Sequence, residues 1–255
     1  MRIENSFIPV AGVGERTERR LWERGITHWD DFERDAVGET TGERIAAFIE
    51  DGRTHLDAGN ARYFDSAFPS AHQWRLYENF REEACFFDIE TTGLSHSRDD
   101  VTTVSLHRDG ETRTLVNDPD PFVGDPLTRE AVADALGDAS LLVTFNGKRF
   151  DVPFLETTFD LSLDAPHIDL MYPCKRLDLT GGLKAVERDV GIERDRPDLS
   201  GYDAIRLWRE YERGADESLE TLVSYNRADT VNLRTLMDHV ADALHDRTFA
   251  EFDAD

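Results

Sequence analysis

Asp88 and Glu90 lie two apart in the run Ala84-Cys85-Phe86-Phe87-Asp88-Ile89-Glu90. In an extended strand, side chains two apart project to one side, so these carboxylates point together while Ile89 enters the opposite packing layer. Two carboxylates held side by side repel unless cations lie between them, and a donor set made only of oxygens suits Mg²⁺ or Mn²⁺. A solvated edge strand is the competing reading, but the apolar residues directly before the acids favour a core strand. Asp151 appears where the segment Asn146-Gly147-Lys148-Arg149-Phe150-Asp151 leaves a strand and enters a helix, a place where an acid is also a common cap. Tyr225 and Asp229 are four apart in a helical stretch and so share one face, as a surface pair would.

The elements that must position these groups are readable from the apolar pattern. ACFFDIE (84–90), VTTVSLHR (101–108) and TRTLVND (112–118) read as strands, the last two joined by the hairpin signal Asp109-Gly110. Helical stretches are expected around 128–137 and 150–159, with the strand LLVTF (141–145) between them and another possible strand at HIDLM (167–171). From about 181 the pattern is helical and ends in a long amphipathic stretch from Leu219 to Leu244. Strands mixed with helices in this order predict an α/β fold with a mixed sheet flanked by helices. Residues 1–82 instead read as a small all-α domain, with helical spacing from Thr17 to Trp22 and from Ile45 to Ile49. The domains expected are therefore 1–82, 83–246 and an acidic, frayed tail at 247–255.

The charge supports that division. The 255 residues carry 53 acidic and 29 basic side chains, a net of −24. Residues 1–82 are only mildly acidic, at −5, and the remainder holds −19. Only three basic residues are lysines: Lys148, Lys175 and Lys184. This balance resembles a protein of a salt-accumulating halophile, because molar salt shortens the Debye length to about 3 Å and dense surface carboxylates then stop repelling one another. Taken alone it would favour a protein that avoids nucleic acid, so specific motifs must carry any other reading. Hydrophobic residues at 39% and charged residues at 32% exclude disordered and collagen-like chains. No apolar run reaches membrane-spanning length and no signal peptide is evident, so a soluble, cytoplasmic protein with no membrane partner is expected. Cys85 and Cys174 are too few for a disulfide framework or a four-ligand zinc site.

Taken in order, DIETTGL, NGKRFDVPFL and YNRAD resemble the three motifs of the DEDD nucleases, a branch of the ribonuclease H-like superfamily rich in 3′→5′ exonucleases. HIDLMYPCKRL, GGLKAVERDVGI and SGYDAIRLWREYERG resemble its YprB-like subset in particular. The resemblance covers roughly residues 83–245. It implies that Asp88, Glu90, Asp151 and Asp229 hold two divalent metal ions, Mg²⁺ or Mn²⁺, and that Tyr225 is the tyrosine of the DEDDy subgroup. The histidine of the sister subgroup falls at Ser224, five before Asp229. Two metals roughly 4 Å apart would activate water and stabilise the departing 3′ oxygen. By resemblance Asp88 bridges the pair, Glu90 and Asp229 support the metal carrying the water, Asp151 helps hold the second, and Tyr225 orients the water. An ordinary phenol pKa near 10 suits alignment better than deprotonation.

The same resemblance gives Thr92, Gly93 and Leu94 contact with the terminal nucleotide, Leu94 stacking on a base. Asn146 is a candidate for a sugar or phosphate contact at the entrance, and Lys148 and Arg149 are candidate phosphate neighbours that equally suit a solvated loop. IPVAGVGERTERRLWERGI (8–26) resembles a helix-hairpin-helix segment. There the Gly12-Val13-Gly14 turn would offer backbone N–H groups to phosphate, and Arg16, Arg19, Arg20 and Arg24 recur as one basic helical stripe. Such hairpins also serve as plain helical modules, and Glu15, Glu18 and Glu23 dilute the stripe. The expected function is a two-metal nuclease, a 3′→5′ exonuclease on single-stranded or frayed DNA or RNA. The alternatives are an inactive nucleic-acid-binding module and an endonuclease or processing subunit of a larger assembly.

Overall fold

The computed structural model describes residues 1–194 and 196–253. The chain divides into one unit of Met1–Arg81 with Val240–Asp255, and a second of Glu82–His239. In the first lie α1 (Glu15–Trp22), α2 (Glu39–Asp57), α3 (Ala61–Ala67) and α4 (Tyr77–Phe80), with 3₁₀ turns between α1 and α2 and between α3 and α4. Its centre is the pair of fully buried side chains Glu18 and Arg75, 2.9 Å apart, where Glu18 also accepts the backbone N–H groups of Phe7 and Ile8. A buried charge persists only when its bonding is met, and these donors meet it.

The second unit carries β1 (Ala84–Thr91), β2 (Val101–Arg108), β3 (Glu111–Val116), β4 (Asp125–Pro126), α5 (Arg129–Gly137), β5 (Leu141–Thr144), α6 (Asp151–Phe159), β6 (His167–Asp169), α7 (Met171–Arg176), α8 (Leu183–Asp189), α9 (Gly201–Tyr211) and α10 (Asp216–Thr248) as far as His239, the rest of that helix belonging to the first unit. Its sheet runs β4-β3-β2-β1-β5-β6. The β1–β2 and β2–β3 pairs are antiparallel, and β3–β4, β1–β5 and β5–β6 are parallel. The α/β fold with a mixed, helix-flanked sheet is as expected. Alternation along β1 sends Cys85, Phe87 and Ile89 into a core with Val132, Leu136 and Phe154, leaving the even-numbered residues for the other face. On that face Thr103, Ser105 and Thr114 are buried, and α10 supplies Asn226 and Thr230 to meet them.

In the described residues one strand is added and two expectations change. The short β4 is paired by Leu115 and Val116 and carries no apolar signal of its own. The strand expected over 167–171 stops at Asp169, because the Leu170 N–H donates to Thr144 and Met171 opens a helix. The expected frayed tail is packed as far as it is described: Phe249 is buried and meets Trp22 edge-on, with Phe252 beside the same indole. Two aromatic rings in an acidic terminus gain more from that indole than from water. The last two tail residues lie outside the described residues.

Candidate metal centre

β1 brings the first two acids to the centre of the sheet, where strands lie on both sides of it. Asp88 and Glu90 face α10, and Asp229 comes from that helix, so that carboxylate oxygens of the three lie within 4.8 Å of one another. Asp151, at the start of α6, accepts the backbone N–H of Ile89 at 3.2 Å, which fixes it against the same strand. Glu90, Asp151 and Asp229 are buried. The Tyr225 hydroxyl donates to Asp229, one turn on, as the spacing of four requires.

Burial and mutual repulsion set the electrostatics. Asp88 is held well above the usual carboxylate range by burial first, then by Asp151, Glu90 and Asp229. Glu90 is raised by burial, Asp229 and Asp151, and burial pushes Asp151 up to about 7. Tyr225 is raised by burial and by the charges of Asp229, Glu90 and Asp88. Carboxylates that resist ionising together are short of positive charge, and hard cations with oxygen ligands are what such a donor set accepts. The four acids fit divalent ions on this ground.

Three residues that the motifs do not single out complete the centre. Asn226 is fully buried; its amide donates to Asp88 at 2.8 Å and accepts from Thr103 at 3.0 Å, which fixes the Asp88 carboxylate. Arg194 joins Asp229 to the fully buried Glu187 of α8 through ion pairs to both. The Lys184 ammonium lies 4.9 Å from the centre of the Tyr225 ring, and burial and Arg194 lower its pKa. The sequence signal for Asn226 is its place on the buried stripe of α10 with Thr230 and Leu233, four and seven residues on. For Arg194 no local signal exists, since it lies in an irregular segment.

The remaining expected residues are placed as follows. Thr92, Gly93 and Leu94 form the turn leaving β1, held where Thr92 pairs with Asp100 and Thr91 donates to the Gly93 carbonyl. A methyl group at Gly93 would lie 2.4 Å from an Asp99 carboxylate oxygen, so a side chain there would have to displace Asp99. Leu94 is 72% exposed. Asn146 is in the left-handed region at φ 65°, and its N–H and that of Lys148 donate to Asp169. Lys148 and Arg149 are exposed. Gly12, Gly14, Arg16 and Arg20 belong to the other unit. There Gly12 turns the chain at φ 94°, Gly14 precedes α1, and Arg16 and Arg20 are exposed. The arginine stripe is not a uniform free surface: Arg19 is drawn to Glu23 and Glu251 across the Phe252 ring, and Arg24 donates to the Ala36 carbonyl.

The chain is 28% identical over 173 residues to the uncharacterised protein YprB of Bacillus subtilis (strain 168), a match covering 61% of this chain and 41% of YprB. The chain thus spans less than half of that relative's length. Among solved structures it is similar to a nuclease in its apo form, at 19% identity and a TM-score of 0.45 over 66% of this chain and 77% of the other. Brucella melitensis NrnC bound to pGG is similar at 19% identity and a TM-score of 0.44, over 69% and 82% of the two chains. The family model described as the RNase_H superfamily matches residues 85–241. That match takes in every carboxylate of the cluster and more than half of the chain, and by it this protein belongs to the RNase_H superfamily.

Proposed function

We propose that this protein is a metal-dependent nuclease that hydrolyses phosphodiester bonds, acting as a 3′→5′ exonuclease on single strands or frayed ends of DNA or RNA. The observation that carries this reading is the convergence of Asp88, Glu90 and Asp229 within 4.8 Å, with Asp151 bound to the same strand. Two divalent ions, Mg²⁺ or Mn²⁺, would be held by these four acids and would supply an activated water and charge neutralisation at the departing 3′ oxygen. Asn226 keeps Asp88 aimed at the cluster. Tyr225 retains its proton, because burial and the acids raise its pKa, so its hydroxyl positions the attacking water and is not a base. Leu94 offers an exposed apolar face to the terminal base, Thr92 and Gly93 shape the turn beneath it, and Asn146 holds sugar or phosphate at the entrance. In the first unit, Gly12, Gly14, Arg16 and Arg20 would grip phosphate without reading sequence, a contact that weakens with salt.

The test is cleavage of end-labelled single- and double-stranded DNA and RNA at high KCl with Mg²⁺ or Mn²⁺. A ladder receding from the 3′ end of single strands is expected, and Asp88→Ala and Asp229→Ala should each lower the rate by about 10³-fold or more. Internal fragments would replace the exonuclease reading with endonuclease action. Binding without cleavage would leave a nucleic-acid-binding module, and unchanged turnover in either variant would remove the assignment of the acids.

A further inference from the structure

Arg194 has a bonding pattern that the proposed reaction does not use. Its side chain is 7% exposed, its Nε donates to Glu187, and one terminal nitrogen, Nη1, donates to Asp229. The other, Nη2, is buried with no hydrogen-bond partner. A buried guanidinium N–H left unmet is costly, and its persistence points to a partner that arrives later. Beside it lies a cavity of about 240 Å³ lined by Arg194, Arg196, Glu220, Thr221, Ser224 and Tyr225. Both Arg194 and Tyr225 also touch Asp229, so the cavity opens directly beside the carboxylate cluster.

We propose that Arg194 is a substrate-phosphate residue held in reserve: it neutralises Asp229 until divalent ions take that carboxylate over, and it then binds a phosphate group of the nucleic acid in the cavity beside Tyr225. This rests on the metal-centre reading given above. Asp229, if it held a divalent ion, would place that charge next to the guanidinium, so the Arg194–Asp229 pair and the metal would compete for one carboxylate. Glu187 lies outside the cluster and still holds Nε after Asp229 is released. The edge formed by Nη1 and Nη2 is then free, and two parallel N–H groups on one plane match the oxygens of a phosphate. Arg196, paired with Asp198, also lines the cavity, as do the Thr221 and Ser224 hydroxyls; Glu220 is the one acid in the lining. The ligand class is therefore a phosphate mono- or diester arriving with, and not before, the metals.

Calorimetric titration of the full chain in KCl without nucleic acid separates the two halves of the proposal. Arg194→Gln should bind Mn²⁺ more tightly than the wild type, by about tenfold, because the competing charge is gone. Arg194→Lys keeps the charge and should stay near the wild type. With Mn²⁺ saturating, inorganic phosphate should bind the wild type and bind both variants about tenfold more weakly, since neither offers the fork. Ser224→Asp places a carboxylate on the exposed cavity wall; it should weaken phosphate binding to the Mn²⁺-saturated protein, and so serves if the Arg194 variants fail to fold. Unchanged or weaker Mn²⁺ binding in Arg194→Gln overturns the competition, and phosphate affinity untouched by Ser224→Asp overturns the cavity. Either failure with Mn²⁺ still bound by the wild type and lost in Asp88→Ala spares the metal-centre reading. A wild type that takes up no Mn²⁺ removes both.

Discussion

The four acids hold one strand end, one helix start and one helix face in a single charged cluster, and this arrangement works against stability. Asp151 shows the conflict most simply. An acid whose pKa is higher in the folded chain than in the unfolded one adds stability that is fully present below its unfolded value, near 3.8, and is lost as pH rises to about 7. In metal-free protein, Asp151→Asn should therefore raise stability at pH 8 by about 1–3 kcal/mol and change it little at pH 4. Urea denaturation in the presence of a chelator measures both; equal destabilisation at the two pH values would show that Asp151 is not held as a strained acid. The folded chain alone does not favour such a group, and carboxylates perturbed in this way are common at functional sites.

At the scale of elements, the turn after β1 illustrates how local structure serves the centre. Asp99 fills the space a side chain at Gly93 would need, and Leu94 stands exposed next to it. On the proposed function, in which Leu94 contributes binding and touches no reacting group, Leu94→Ala should raise KM for single strands with little change in kcat. Steady-state kinetics checks this, and a fall in kcat at unchanged KM would oppose it. The elements around the centre were legible because their signals are local: the apolar run before Asp88, the Asp109-Gly110 turn and the four-residue step from Tyr225 to Asp229 each show in a few neighbouring residues. The polar face of the sheet was legible only as alternation in VTTVSLHR; that Asn226 fills it depends on α10 crossing β2, which no local pattern states. Arg194 was hidden for the same reason, since its partners Glu187 and Asp229 are 7 and 35 residues away. The packed end of the chain escaped because acidity outweighed two phenylalanines in a terminal segment, whereas Trp22 is 227 residues from Phe249 and unseen from it.

Over the whole molecule, the net charge of −24 raises a question that the fold answers only in part. Buried ion pairs such as Glu18–Arg75 are shielded from salt, whereas the exposed carboxylates are not. Added KCl should therefore raise the thermal midpoint progressively towards molar concentration, and scanning calorimetry in KCl from about 0.1 to 2 M checks it. A midpoint independent of salt would mean that surface repulsion is not a material term. The same acidity repels polyanions from most of the surface, so on the proposed function nucleic acid approaches where cations, bound or built in, reverse the local sign.

The most direct measurement of the central claim is a Mn²⁺ titration in molar KCl, where loose binding to surface acids is screened, comparing the wild type with Asp88→Ala. The four-acid centre predicts two ions taken up per chain by the wild type and loss of both tight events in the variant. Identical uptake by the two proteins, or none by the wild type, would contradict it.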